Sequence, residues 1–168
     1  MTVKSLGIEE ALSIAIEAEL QAQAFYVQAA AWVQDPRGRD LLGRLAAFEQ
    51  HHYQKLSDLV RSLQLGGQFI AYEPCTVDQF APLVSGETAA PQPEGLRDEG
   101  SILGRAIDME KIAGERYRVL ANETTAPDGQ AMFSQLANEE RVHQRILEDE
   151  FFSLSNRGVW GWSGLYGE

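Results

Sequence analysis

The chain has 168 residues, of which 44% are hydrophobic and 23% charged, a composition typical of one globular domain with a sizeable core. Its formal net charge is −11 and its 14 Lys and Arg residues are scattered, which argues against nucleic acid or an anionic membrane as a partner. The single cysteine, Cys75, excludes an intrachain disulfide, and without a signal-peptide pattern or an apolar segment of membrane length we expect a cytoplasmic protein.

The first predicted element is a long helix from about residue 6 to residue 34. The segment is rich in Ala, Glu, Gln and Leu and contains no proline. Its predicted inward positions recur every three or four residues, and they are Leu12, Ile16, Glu19, Gln23, Tyr26, Ala30 and Val33. Because Glu19 interrupts a mostly apolar seam, its carboxylate must be paired, protonated or itself a ligand.

The second predicted helix runs from about residue 36 to residue 65. Asp35 is a favoured N-cap and Pro36 a favoured first helical residue, so the connection is short and the two helices form an antiparallel hairpin. The inward seam consists of Leu42, Leu45, Glu49, His52, Leu56, Leu59 and Leu63. Since residues three apart share a helix face, Glu49 and His52 are either a buried hydrogen-bonded pair or two ligands of one metal ion.

Residues 66–96 read as a long crossover, because Gly66 and Gly67 end the second helix and Gly, Pro, Ser and Thr are frequent thereafter. One short amphipathic piece is predicted near 76–84. Cys75 stands at its start and has no partner cysteine, so we interpret it as structural or incidental. Such a connection lets the third helix run parallel to the second, as in ferritin-like bundles.

The third and fourth helices are predicted at about 97–123 and, after Pro127, as far as about 153. Their inward positions are Leu103, Ile107, Glu110, Gly114, Tyr117 and Ala121, then Phe133, Leu136, Glu140, His143 and Leu147. His51 and Glu139 adjoin seam residues but point elsewhere on their helices, so we expect them at the rim or in solvent. Residues 154–168 form a tail with two of the three tryptophans among glycines, which we expect to cover an apolar surface of its own bundle or of a dimer partner.

The two helix pairs repeat each other. Glu49 and His52 recur 91 positions later as Glu140 and His143, and Glu19 and Tyr26 recur at the same offset as Glu110 and Tyr117. A constant offset indicates an internal duplication. Four such helices facing one another bring four carboxylates and two histidines together, the ligand set of di-iron and di-manganese carboxylate bundles. The duplication therefore favours the metal-ligand reading of each Glu-x-x-His motif.

These motifs, over about residues 8–153, resemble those of the rubrerythrins. The resemblance implies an all-α, ferritin-like four-helix bundle with a long crossover between helices 2 and 3, within a domain spanning 1–153. It implies that Glu19 and Glu110 are terminal metal ligands, that Glu49 and Glu140 bridge, and that His52 and His143 each bind one ion. Tyr26 and Tyr117 match family tyrosines that hydrogen-bond near the ligand carboxylates.

The resemblance also implies a function, namely reduction of hydrogen peroxide or dioxygen with two iron ions per chain, although the same ligands suit manganese or zinc. One cysteine cannot supply a rubredoxin domain, so we expect an external electron donor such as a rubredoxin-like protein or a flavin reductase. A homodimer is expected. The family's additional Glu on helix 3 is replaced by Ala113, which leaves open a di-iron monooxygenase of an organic substrate, or a non-enzymatic iron-binding or ferroxidase protein.

Overall fold

Four long helices account for most of the chain in the computed structural model, which describes residues 7–83 and 92–164. They are α1 (Ile8–Trp32), α2 (Pro36–Gly66), α3 (Glu99–Glu123) and α4 (Pro127–Arg157). A short 3-10 helix, Val77–Gln79, lies in the crossover between α2 and α3. Within the two described ranges there is no strand, so the predicted all-α class is confirmed.

The helices form two hairpins with short connections. The Asp35 carboxylate accepts a hydrogen bond from the Arg37 backbone N–H at the start of α2, and Asp98 caps α3 in the same way through Ser101. These side chains satisfy backbone donors that the first helical turn leaves free. Helix α1 packs along α2, α3 packs along α4, and α1 also contacts α3. This arrangement, with the long connection after α2, is the predicted ferritin-like bundle.

Several element bounds differ from the prediction. Helix α4 continues four residues past the predicted end at 153, because the first residue that stops it is Gly158, in the left-handed conformation with φ 72°. Gly67, with φ 69°, ends α2 in the same manner. Only Val77–Gln79 is helical in the piece predicted at 76–84, and residue 84, like residue 6 of the first helix, lies outside the described part of the chain.

The C-terminal tail packs on its own bundle. Trp160 and Trp162 are buried in the same apolar cluster as residues of α1, α2 and α3. The Trp160 indole N–H donates to Glu99 and the Trp162 indole N–H donates to Asp40, so both polar tips have partners. The tail therefore covers an apolar surface of its own bundle, which is one of the two outcomes expected from the sequence.

The duplication extends beyond the motifs found in the sequence. Phe69 follows α2, and Trp160, 91 positions later, follows α4. A Cβ atom on Gly129 would lie 2.7 Å from the Phe69 ring, and one on Gly38 would lie 2.6 Å from the Trp160 ring. The segment after each hairpin therefore seats an aromatic ring on a glycine near the start of the second helix of the other hairpin.

Candidate metal centre

All six predicted ligand residues meet in the middle of the bundle. They share nearly complete burial, and their exposed fractions are 2% for Glu19, 2% for Glu49, 0% for His52, 3% for Glu110, 0% for Glu140 and 1% for His143. Each helix delivers its ligands from the apolar seam that faces the other helices, because steps of three and four residues stay on one face. Burial of so many ionisable groups at one point requires partners for their charges.

The six residues fall into two overlapping groups. One contains Glu19, Glu49, His52 and Glu140, and the other replaces Glu19 and His52 with Glu110 and His143. Within each group, one potential ligand atom from every residue lies within 4.8 Å of the others. Glu49 and Glu140 belong to both groups, which is the arrangement required of carboxylates placed between two ions.

Both histidines present Nδ1 to the carboxylates. His52 Nδ1 lies 2.9 Å from Glu140 Oε1 and 3.6 Å from oxygens of Glu19 and Glu49. His143 Nδ1 lies 3.5 Å from oxygens of Glu49 and Glu140 and 3.7 Å from Glu110. The two imidazole rings lie 6.2 Å apart between centroids and are nearly parallel. The centre therefore has approximate twofold symmetry.

Two tyrosines tie the hairpins together at this centre. The Tyr26 hydroxyl, on the first hairpin, donates to Glu110 Oε1 at 2.5 Å, and the Tyr117 hydroxyl donates to Glu19. Burial, together with the adjacent carboxylates, raises the pKa of both phenols well above 10.0, so they remain protonated donors. Each tyrosine thus fixes a carboxylate of the opposite hairpin beside the centre.

The carboxylates divide into two electrostatic types. Burial raises the pKa of Glu19 and Glu110 well above 4.5, and repulsion from Glu49 and Glu140 adds to the rise. Burial also opposes ionisation of Glu140, but the His52 charge and hydrogen bonds outweigh it and hold its pKa well below 4.5. The pKa of Glu49 is lowered in the same way, chiefly by hydrogen bonds. Without cations, protons must partly neutralise the centre.

The carboxylates of the centre also shift the pKa values of the two histidines. Burial lowers the pKa of His52 and His143, but the surrounding carboxylates outweigh burial and raise both pKa values well above 6.5. Each ring and several oxygens nonetheless lack directed hydrogen bonds among the described residues, and these buried atoms are Glu49 Oε1, His52 Nδ1 and Nε2, Glu140 Oε1 and Oε2, and His143 Nδ1. Carboxylate oxygens and imidazole nitrogens without hydrogen-bond partners around one point fit a pair of divalent metal ions as ligands, and iron suits this set of ligand atoms.

A cavity of about 240 Å³ between α1 and α3 reaches this centre. Its lining includes Glu19, Glu49 and Glu110 at the buried side and exposed Arg105. Most other lining residues are apolar or small, namely Ala18, Ala22, Phe25, Met109, Ile112 and Ala113. Ala113 stands where the rubrerythrins commonly have an additional Glu, so this chain has space at that point rather than a further carboxylate.

One expectation about the centre is wrong. Glu139 does not face solvent; it is 3% exposed and accepts hydrogen bonds from the Tyr72 hydroxyl at 2.6 and 3.0 Å. The crossover covers this side of α4, which no periodicity of the crossover sequence could indicate. His51 lies at the rim, half-buried, with its Nε2 3.6 Å from Cys75 Sγ. The sequence contains one indication that Glu139 is buried, since its counterpart at an offset of 91 is the apolar Phe48.

A central cluster of four carboxylates and two imidazoles inside an all-helical bundle is the characteristic feature of the ferritin-like carboxylate bundles. Within that class, residues 101–157 match the rubrerythrin family model, which confirms the family resemblance. A hypothetical protein from Pyrococcus furiosus has a similar solved structure, with a TM-score of 0.71 and 24% identity over 95% of this chain and 97% of that one. No curated protein sequence matches. None of the helices described is both long and apolar enough to span a membrane.

Proposed function

We propose that this chain is a non-haem di-iron protein that reduces hydrogen peroxide, or dioxygen, with electrons from an external donor. The observation that carries the proposal is the convergence of four carboxylates and two imidazoles into two groups that share Glu49 and Glu140. Glu19 and His52 would complete the ligands of one iron, and Glu110 and His143 those of the other. Tyr26 and Tyr117 would orient the terminal carboxylates.

The proposed reaction needs two electrons and two protons for each hydrogen peroxide, which is converted to two water molecules. A bound iron pair would store and transfer these two electrons. The protein's own contribution is to hold the carboxylates in place, to exclude bulk water from a centre that is at most 3% exposed, and to admit a small oxidant through the cavity between α1 and α3.

The electrons would come from another protein. Cys75 is the only cysteine of the 168 residues, and a rubredoxin-type site needs four. We therefore expect a rubredoxin-like protein or a flavin reductase as the donor. We also expect a homodimer, which native mass spectrometry would test.

A second candidate function is oxygenation of an organic substrate. A cavity of 240 Å³ is larger than hydrogen peroxide needs, because about 10–15 Å³ of cavity volume accommodates one water molecule. Its apolar and small lining residues, including Ala113, would suit the carbon skeleton of a small organic molecule next to the carboxylates. Consumption of dioxygen only when an organic co-substrate is present would favour this reading.

Stopped-flow oxidation of the reduced, iron-loaded protein separates the two candidates. We expect hydrogen peroxide to oxidise the protein stoichiometrically and faster than dioxygen does. A matched measurement with His143→Ala should be slower, because that substitution removes one imidazole ligand and leaves the carboxylates. Failure to react with peroxide, or faster oxidation by dioxygen, would contradict peroxide reduction and favour the oxygenase or ferroxidase reading.

A further inference from the structure

Glu139 is a buried carboxylate beside the centre that neither ligand group contains. It precedes the shared ligand Glu140 on α4, yet it faces away from the other carboxylates and toward the far side of His52. Its Oε1 lies 3.9 Å from His52 Nε2, whereas His52 Nδ1 faces Glu140 and Glu19. Burying a carboxylate without a partner costs free energy, so the groups around Glu139 indicate which partner it serves.

Tyr72, from the crossover, fixes the position of this carboxylate. Its hydroxyl donates to both oxygens of Glu139, at 2.6 and 3.0 Å. Burial raises the pKa of Tyr72, and the negative charge of Glu139 raises it further, so the phenol stays a neutral donor. One donor leaves most of the acceptor capacity of Glu139 unused, and the imidazole of His52 is the nitrogen group that faces it.

The position of the imidazole proton decides whether His52 can bind a metal ion. A neutral imidazole carries its proton on one nitrogen only, and the other nitrogen supplies the lone pair for a metal. The negative charge of Glu139 beside Nε2 favours the proton on that nitrogen and leaves Nδ1 free, on the side where the ligand carboxylates lie. Partners of this kind behind a ligating histidine set its tautomer and raise its basicity.

The other half of the centre lacks this arrangement. The residue equivalent to Glu139 is Phe48, whose ring lies 4.3 Å from the His143 ring at an angle of 81°. In the described part of the chain, the carboxylates within 4.0 Å of His143 all approach its Nδ1. The residue equivalent to Tyr72 is Ser163. The Phe48 ring also lies 5.0 Å from the His52 ring, so the two imidazoles differ in the anion: among the described residues, only His52 has a carboxylate within 4.0 Å of its Nε2.

We propose that Glu139, held by Tyr72, is a positioning residue for His52 and makes the metal position formed by Glu19 and His52 the tighter of the two. The inference rests on the proposed metal centre but concerns a difference that the duplicated ligands do not predict. The unmutated protein should then bind two divalent ions in two steps of unequal affinity.

The test uses Zn²⁺ as the probe, titrated into the full metal-free chain against a chelating indicator, together with the ring N–H signals of the zinc-loaded protein in ¹H–¹⁵N NMR. Glu139→Gln should weaken one binding step by about 10-fold to 100-fold and leave the other unchanged. It should also move the Nε2–H signal of His52 and not that of His143. Tyr72→Phe should give a smaller loss in the same step, and it serves if the Glu139 variant does not fold.

The matched control is Glu150→Gln, which changes another buried glutamate of α4 whose carboxylate accepts from the Gly161 backbone N–H. It should leave both binding steps unchanged. Unchanged affinities in Glu139→Gln, or equal weakening of both steps, would overturn the positioning role while two bound ions preserve the metal centre. An unmutated chain that binds no Zn²⁺ would overturn the centre itself.

Discussion

The two hairpins repeat the residues that face the centre and differ in the residues behind them. Glu19, Glu49 and His52 each have an identical counterpart 91 positions later, whereas Phe48 is matched by Glu139. Beyond the ligands, Gly67 and Gly158 end their helices with the same left-handed geometry. The ligand residues and the helix ends are therefore kept in both copies, while the residues around the imidazoles have diverged.

The largest predicted effect concerns the two shared carboxylates, which occupy equivalent positions in the two copies. Glu49→Ala and Glu140→Ala each remove a ligand from both groups, so we expect metal content to fall to near zero in either variant. The metal-dependent stabilisation, about 4 kcal/mol when the free ion is at 1,000 times its dissociation constant, should disappear with it. Elemental analysis and thermal unfolding measure the two consequences. Full loading in both variants would show that neither residue bridges.

The second prediction is that the stability of the folded protein depends on pH with opposite sign in the metal-free and the metal-loaded forms. In the metal-free protein the pKa values of Glu19, Glu110, His52 and His143 are raised, so their contribution to stability is present below the unfolded values of 4.5 and 6.5 and is lost as pH rises through the folded pKa values. Its melting temperature should therefore fall as the pH is raised above about 5. The loaded protein should gain stability over the same range, because metal ligands must lose their protons.

Melting curves of both forms at several pH values test this prediction. Glu49 and Glu140, whose pKa values are lowered, act in the opposite sense, but only as pH falls below 4.5. A metal-free protein whose melting temperature rises steadily from pH 5 to pH 9 would contradict the assignment of protons to the centre.

The third prediction compares the two tyrosine links. Tyr26→Phe and Tyr117→Phe each remove one donor to a buried carboxylate, and a lost bond of this kind costs about 1–3 kcal/mol. Because the links are equivalent, we expect similar losses in the free energy of unfolding of the loaded protein. Denaturant unfolding measures them. A loss in only one variant would show that the hairpins are coupled unequally.

The smallest effect concerns the glycines beneath Phe69 and Trp160. Gly38→Ala places a methyl group within 3.0 Å of the buried Trp160 ring, and Gly129→Ala places one within 3.0 Å of the half-buried Phe69 ring. The cost of overpacking, about 1–3 kcal/mol, exceeds the gain of about 1 kcal/mol from higher helix propensity. Gly104→Ala on α3 is the control, since its Cβ would meet no atom within 4 Å, and it should stabilise the protein. Equal effects at all three positions would show that the rings do not rest on the glycines.

Most of the fold and the six central residues could be predicted because they follow periodicity and a constant offset. Glu19, for example, stands out as a single carboxylate in an apolar seam, and its repeat at Glu110 strengthens the reading. The burial of Glu139 could not be predicted in that way. It depends on Tyr72, which lies in a crossover without regular periodicity, so only the tertiary structure brings the two side chains together.

The tail and the helix ends likewise depend on tertiary packing that sequence periodicity does not predict. Gly158 is a clear stop signal, but residues 154–157 are compatible with either a helix or a tail, and the choice depends on how far α4 is supported by its neighbours. Trp160 could be predicted to cover an apolar surface, whereas its seat at Gly38 follows from packing between distant segments.

The most direct test of the central claim is the number of metal ions bound by one chain. Protein reconstituted with Fe²⁺ without oxygen, freed of excess metal and analysed for iron and protein should contain two ions per chain, because each half of the centre supplies one terminal Glu and one His and both halves share Glu49 and Glu140. One ion per chain, or none, would contradict a centre built from both hairpins.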